Sequence, residues 1–281
     1  MTDADAPRPG AGGRSAGGPS GASCTIWWAT PREDTALTGL LDDSERQRSV
    51  RLARSADRSR FVTAHALVRL LLAARTGIPP AELRFDRTCR RCGGDHGKPR
   101  LADDLPLPTG PPPFNLTHAA DRIAIAVADV TGPDGGFDVG VDVERVPAAG
   151  NSVLATAGPE ILTAAELAAY RQLDTSGRGR ALAVWWTRKE AVLKATGDGL
   201  AVPPSSIGVT APDESPAVTG WTVPAWESRL DTGDRDTAPG PPLVVLRDLQ
   251  AADGYVGCVA VVGAASLTVT EHDADPLLAA R

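Results

Sequence analysis

The 281-residue sequence predicts an α+β fold made of two pseudo-symmetric halves in one chain. Two observations carry this expectation. Helical periodicity lies early in each half and strand-like alternation late, unlike the regular strand–helix succession of a doubly wound parallel sheet. The order of elements is also similar on either side of a join near residue 138. Residues 1–22, rich in Gly, Ala, Ser and Pro and poor in apolar bulk, are expected to be a disordered tail. The halves are then 23–138 and 139–270, with a second tail at 271–281.

Taken in order, Cys24-Thr-Ile-Trp-Trp-Ala reads as a short strand. Asp43 or Ser44 caps a helix running through Glu45, Arg48 and Leu52. From Ala56 to Thr76, Phe61, Ala64, Leu67, Val68, Leu71 and Leu72 recur at helical spacing, and Gly77 supplies the stop. Cys89 to Pro99 reads as turn-rich, and Leu105 to Pro113 as a Pro-rich connector. Strands follow at Phe114–His118 and Ile123–Val127, then a turn at Thr131–Gly136 and an alternating strand at Phe137–Val146. In the second half, Thr163-Ala-Ala-Glu166 is a capping box opening a helix to Leu173. A polar turn with Gly177 and Gly179 precedes a long helix from about Arg180 to Thr196, stopped by Gly197. Ile207–Thr210, Pro242–Leu246, Tyr255–Val262 and Leu267–Thr270 read as strands, with a loop over Trp221–Gly240.

Net charge of −6 argues against a nucleic-acid binder held by a basic surface. No apolar run approaches the ~20 residues of a membrane helix, and acids stand where a secretion signal carries cations. Cytoplasmic localisation is expected, and Cys24, Cys89, Cys92 and Cys258 form no disulfide framework. Of 29 basic side chains only Lys98, Lys189 and Lys194 are lysines, which marks positions where a compact ammonium is wanted. The tryptophans Trp27, Trp28, Trp185, Trp221 and Trp226 read as core or interface anchors, and His272 as exposed.

Three segments carry candidate chemistry. In Gly140-Val-Asp142-Val-Glu144-Arg145, residues two apart share a strand face, so Asp142 and Glu144 project together. An all-oxygen pair suits a hard cation such as Mg²⁺, and a solvated strand face is the alternative. In Trp185-Trp186-Thr-Arg-Lys189-Glu190-Ala-Val-Leu-Lys194, helical spacing stacks Trp186, Glu190 and Lys194 on one ridge. Glu190 is then a third oxygen ligand or a base, or half of an ordinary surface ion pair with Lys194. In Phe114-Asn115-Leu116-Thr117-His118, the last two side chains offer donors to a phosphate, or His118 is structural.

In this order the segments resemble the Sfp-type 4′-phosphopantetheinyl transferases, whose signature joins a Phe-Asn-Ile/Leu-Ser/Thr-His block, a Gly-Ile/Val-Asp-Ile/Val-Glu block and a Trp-x-x-Lys-Glu-Ala/Ser-x-x-Lys block. Gly97-Lys98-Pro99 and the Arg60-Phe61 helix resemble further blocks, so that the likeness covers about Trp27 to Val262. The resemblance implies transfer of the phosphopantetheine arm of coenzyme A to a serine of apo acyl or peptidyl carrier proteins, releasing 3′,5′-ADP. It implies Mg²⁺ on Asp142, Glu144 and Glu190, with Glu190 as base and Lys194 at the diphosphate and leaving group. It places the 3′-phosphate on Arg48 and His118 and lines the nucleotide site with Thr117, Lys98 and Asn115. Glu45 stands where the family often has a lysine, leaving Arg48, with Arg46, to carry that contact. The Arg residues at 46, 48, 51, 54, 58 and 60 form a basic region for an acidic carrier, and the protein is expected to be a monomer.

Two rival readings are a non-catalytic carrier- or CoA-binding module of the same fold, and a zinc-dependent interaction protein built on Cys89, Cys92 and His96. The turn at Cys89–Cys92 is otherwise read as two reduced cysteines in a tight bend that presents Lys98.

Overall fold

The computed structural model describes residues 21–107, 110–129, 138–147, 158, 160–221 and 243–280. The expected turn at 131–136 and Trp226 lie outside them. The fold is α+β. In the first half, β1 (Gly21–Ala29) leads to α1 (Thr35–Thr38), α2 (Asp43–Val50) and α3 (Ser55–Thr76), then β2 (Phe85–Thr88), β3 (Asp95–Leu101), β4 (Phe114–Ala119) and β5 (Arg122–Asp129). The second half runs β6 (Asp138–Arg145), α4 (Ala164–Gln172), α5 (Thr175–Thr196), β7 (Ile207–Val209), β8 (Val218–Trp221), β9 (Val244–Asp248) and β10 (Tyr255–Val262). The strand β11 (Ser266–Asp273) and the short helix α6 (Asp275–Ala279) complete it.

The halves repeat one plan. Each has a first strand, a long helix of 22 residues, a two-stranded ribbon, and a hairpin whose second strand pairs antiparallel with the first strand. The orders β1-β5-β4 and β6-β10-β9 correspond strand for strand. Both long helices end on a left-handed glycine, Gly77 at φ 73° and Gly197 at φ 77°, where a side chain would be strained.

Large and small residues alternate along β5 and sort the layers. Ile123, Ile125 and Val127 pack with α3, whereas Ala124, Ala126 and Ala128 face the second sheet. On β10, Cys258 and Ala260 pack with α5 while Val259 and Val261 meet those alanines. The two sheets therefore lie face to face between α3 and α5. On β6, Val139 and Val141 join the inter-sheet core, so the alternate set Gly140, Asp142 and Glu144 turns to the α5 side. A Cβ on Gly140 would fall inside the contact radii of Ala191 O and Ala195 N, so glycine is what allows β6 to lie directly on α5.

Four expectations need correction. The expected tail at 271–281 is structured over its described residues, 271–280: β11 pairs in parallel with β1 from Gly21 to Trp28, and α6 buries Leu278 in the first-half core. That pairing also brings Gly21 and Ala22 into β1, so these two residues do not belong to the tail expected at 1–22, whose other residues lie outside the described ones. The turn-rich reading of Cys89–Pro99 misses β3, which pairs Asp95 to Leu101 with β2. The helix expected at about Arg180 begins at Thr175, after the N-cap Asp174. There Gly179 lets the first turns approach Pro147, whose carbonyl oxygen would lie 3.0 Å from a Cβ.

Candidate active site

Because β6 turns Asp142 and Glu144 toward α5, they meet the helix ridge of Trp186, Glu190 and Lys194. These five residues line one cleft of about 300 Å³ with Leu116, Thr117 and His118 from β4. Lys194 Nζ donates to Asp142 Oδ1 at 2.6 Å, to the Val141 carbonyl at 3.2 Å and to Thr117 Oγ1 at 3.2 Å. Thr117 in turn donates to Asp142 Oδ1 at 3.0 Å. Trp186 Nε1 donates to Glu144 Oε1 at 3.1 Å, a role for that tryptophan that the sequence pattern does not assign.

Two carboxylate oxygens here have no partner although buried: Asp142 Oδ2 and Glu190 Oε1. Leaving a charged acceptor buried and unpaired costs several kcal/mol, so such atoms point to something that binds them. The crowding raises the proton affinity of two of the carboxylates. Burial and the nearby Asp142 carboxylate raise the Glu144 pKa from 4.5 to about 7, and the same two causes raise that of Glu190. A second, slightly larger cleft of about 350 Å³ beside Trp28 contrasts with this. Its Glu271 and Asp275 already accept from Trp28 Nε1, Thr30 and Gln250, and so are structural.

The three carboxylates, two of whose buried oxygens are unpartnered, fit a hard divalent cation, and the imidazole in the lining, His118, lies on the β4 side. The three acids share the cleft without forming a tight cluster. Among the described residues, the one group of metal-ligand side chains with atoms mutually within 4.8 Å is Cys89, Cys92 and His96.

The other expected site residues fall elsewhere. Asn115 Oδ1 accepts from Val141 N at 3.0 Å and ties β4 to β6, outside the cleft lining. Lys98 is nearly buried and donates to Asp138 and, at 2.6 Å, to the Val139 carbonyl. Burial lowers its pKa to about 8, and Arg100 joins it on Asp138 at 3.0 Å, so both clamp the start of β6 and do not line the cleft. Arg48 is half-buried, and its charge is felt at His65. Desolvation, then the charge of Arg60 and more weakly that of Lys194, lowers the His118 pKa. Glu45 is taken up by Arg69 at 2.7 Å and Arg87 at 3.0 Å, a buried network that explains why no lysine stands there. Lys189 turns away from the cleft to Glu166 and the Ile161 carbonyl, fastening α5 to α4.

Residues 138–238, which include β6 and the α5 ridge, match the family model described as the 4′-phosphopantetheinyl transferase superfamily. The match covers the segment that holds most of the candidate site and leaves out the first half of the chain. The chain is 29% identical over 192 residues to slr0495 of Synechocystis sp., a protein assigned provisionally to the same activity, spanning 67% of this chain and 70% of that one. It is also 29% identical over 190 residues to the 4′-phosphopantetheinyl transferase HetI of Nostoc sp., spanning 68% and 73% respectively. Among solved structures, a Chronobacterium ammoniagenes ACPS–CoA complex aligns with TM-score 0.34 and 17% identity, over 45% of this chain and 96% of that one. The family description and the names of both relatives point to phosphopantetheinyl transfer as the kind of reaction to consider.

Proposed function

We propose that the protein is an Sfp-type enzyme that moves the 4′-phosphopantetheine arm of coenzyme A to a serine hydroxyl of apo acyl or peptidyl carrier proteins of secondary-metabolite or fatty-acid assembly lines. It would work in the cytoplasm as a monomer on a soluble carrier, without nucleic acid or membrane. The observation that carries this reading is the pair of unpartnered oxygens, Asp142 Oδ2 and Glu190 Oε1, in one cleft with Lys194. The repeated strand order of the two halves supports the Sfp type, since the cleft is assembled from both halves of one chain.

In the reaction the serine oxygen attacks the phosphorus bearing the pantetheine arm. The P–O bond to the second phosphate of the diphosphate breaks, and 3′,5′-ADP leaves. Glu190 takes the serine proton at its carboxylate, and its raised pKa brings it nearer the range of an effective base. Lys194 places its ammonium against the charge that grows on the leaving phosphate. Its present partner is Asp142, so it also counters the carboxylates until substrate arrives. Thr117 and His118 offer donors on the β4 side, and Arg60 adds a cation next to His118. Arg48 remains the proposed contact for the 3′-phosphate, together with His118. Lys98 and Asn115 act at one remove, by fixing β6. A Mg²⁺ ion held by Asp142, Glu144 and Glu190 would neutralise the diphosphate.

The test is intact-mass spectrometry of a panel of apo-carrier proteins incubated with the enzyme, CoA and Mg²⁺. A mass gain equal to the phosphopantetheine arm, absent without Mg²⁺, is expected. If every carrier is bound but none gains mass, the chain is a binding module and the catalytic reading fails.

A further inference from the structure

The turn between β2 and β3 gathers three metal-ligand side chains, none of which lines the candidate active-site cleft. Cys89, Cys92 and His96 bring their ligand atoms within 4.8 Å of one another, and Cys92 Sγ lies 2.9 Å from His96 Nε2. We infer that this turn is a zinc site, in which Cys89 Sγ, Cys92 Sγ and His96 Nε2 hold the ion and water completes the tetrahedron.

The backbone is shaped for that purpose. Cys89 N donates to the Gly94 carbonyl at 2.8 Å, and Gly93 N donates to the Cys89 carbonyl at 2.8 Å. Gly93 takes the left-handed φ of 73° that reverses the chain after the second cysteine. A Cβ on Gly94 would stand 3.1 Å from His96 Cδ2 and 3.4 Å from Cys92 Sγ, so glycine is what lets those two ligands converge. The amides of Arg91 and Cys92 turn toward Cys89 Sγ, the kind of donor pair that holds a thiolate. A tetrahedral zinc with these donors sets its ligand atoms about 3.5–3.8 Å apart, so the cluster needs only a small adjustment. Two thiols side by side and open to solvent would otherwise be exposed to oxidation.

Zinc here closes the ribbon that carries Lys98 and Arg100, the two cations clamped on Asp138 at the head of the catalytic strand. The role is structural. On binding, the two thiols release their protons and the imidazole coordinates as the neutral ring.

The test uses the full chain, grown with zinc and purified under a mild thiol-free reductant without chelator. One zinc per chain is expected by elemental analysis, falling to background in Cys92→Ser and in His96→Ala. Cobalt(II) added to the metal-stripped wild type should give an intense near-ultraviolet thiolate-to-cobalt band, absent in Cys89→Ser, while far-ultraviolet circular dichroism reports whether each variant stays folded. Wild-type protein that keeps no zinc and gives no cobalt band overturns the site. Zinc that persists in all three folded variants overturns it too, as does a Cys89–Cys92 disulfide that survives the reductant.

Discussion

Glu144 offers the sharpest measurement of the crowding at the candidate site. Its pKa in the folded chain is about 7 against an ordinary 4.5, because burial and the Asp142 carboxylate both oppose its ionisation. The sign follows from proton counting. Between those two values the folded state holds a proton that the unfolded state has lost, so this group makes stability fall as pH rises. The cost is absent below about pH 4.5 and complete above about pH 7. Its ceiling is about 3 kcal/mol, at ~1.4 kcal/mol per tenfold change in proton affinity. Solvent at the cleft mouth reduces that to about 1–2 kcal/mol.

Glu144→Gln removes the charge and keeps an oxygen that can accept from Trp186 Nε1. In the presence of chelator, its Tm should exceed wild type by about 2–4 °C near pH 8 and by almost nothing near pH 5. The difference between the two proteins is the quantity to follow, since His65, with its pKa lowered to about 3, adds an opposite slope that cancels between them. Thermal unfolding followed by circular dichroism across that range is the assay. A Tm difference that is flat with pH, or a variant less stable than wild type near pH 8, would refute the account of Glu144 as a carboxylate held against its neighbours.

Glu190→Gln should lower carrier modification by about 10²–10⁴-fold as a lost general base while the fold persists, with single-turnover mass spectrometry as the check. In the same variant Mg²⁺ should no longer raise Tm, whereas in wild type a saturating concentration near 100 Kd should add about 2.7 kcal/mol. Gly140→Ala should yield little folded protein, because the new methyl meets the backbone of Ala191 and Ala195 and not a movable side chain. Soluble expression and thermal unfolding of that variant decide the matter, and a stable well-folded product would contradict the close β6–α5 approach.

The features legible in the sequence are those that local chemistry settles. The capping box at Thr163 and Glu166, the glycine stops at 77 and 197, and the alternation from Gly140 to Glu144 depend on neighbours within a few residues. Long-range pairing is not legible. Nothing near Ser266 says that this strand will lie parallel to one starting at Gly21, because the partner is at the other end of the chain. The fates of Lys98 and Asn115 are hidden for the same reason. A lysine looks available for phosphate until tertiary structure delivers Asp138 and the Val139 carbonyl to it. Arg60 reads in the sequence only as part of a basic helix, and its place beside His118 follows from the packing of α3 against β4. The start of α5 is obscured because two glycines argue against helix locally, and the contact with Pro147 outweighs that penalty.

The charge balance of the cleft explains why its strands come from both halves. Asp142, Glu144 and Glu190 with Lys194 carry a formal charge of −2 when all are ionised, which one divalent cation neutralises. The protein's own substitutes for such a charge are Lys194 on Asp142 and Trp186 on Glu144, while burial and the Asp142 carboxylate raise the pKa of Glu144 and Glu190. Each of these substitutes comes from the second half, whereas Thr117, bridging Asp142 and Lys194, comes from the first. Thr117 therefore links the acid pair to the β4 edge that also carries His118. A dication held by Asp142 would supply the countercharge that Lys194 now gives it at 2.6 Å, leaving that ammonium for an anion. On the proposed mechanism, metal binding and the freeing of Lys194 would be coupled through a single aspartate.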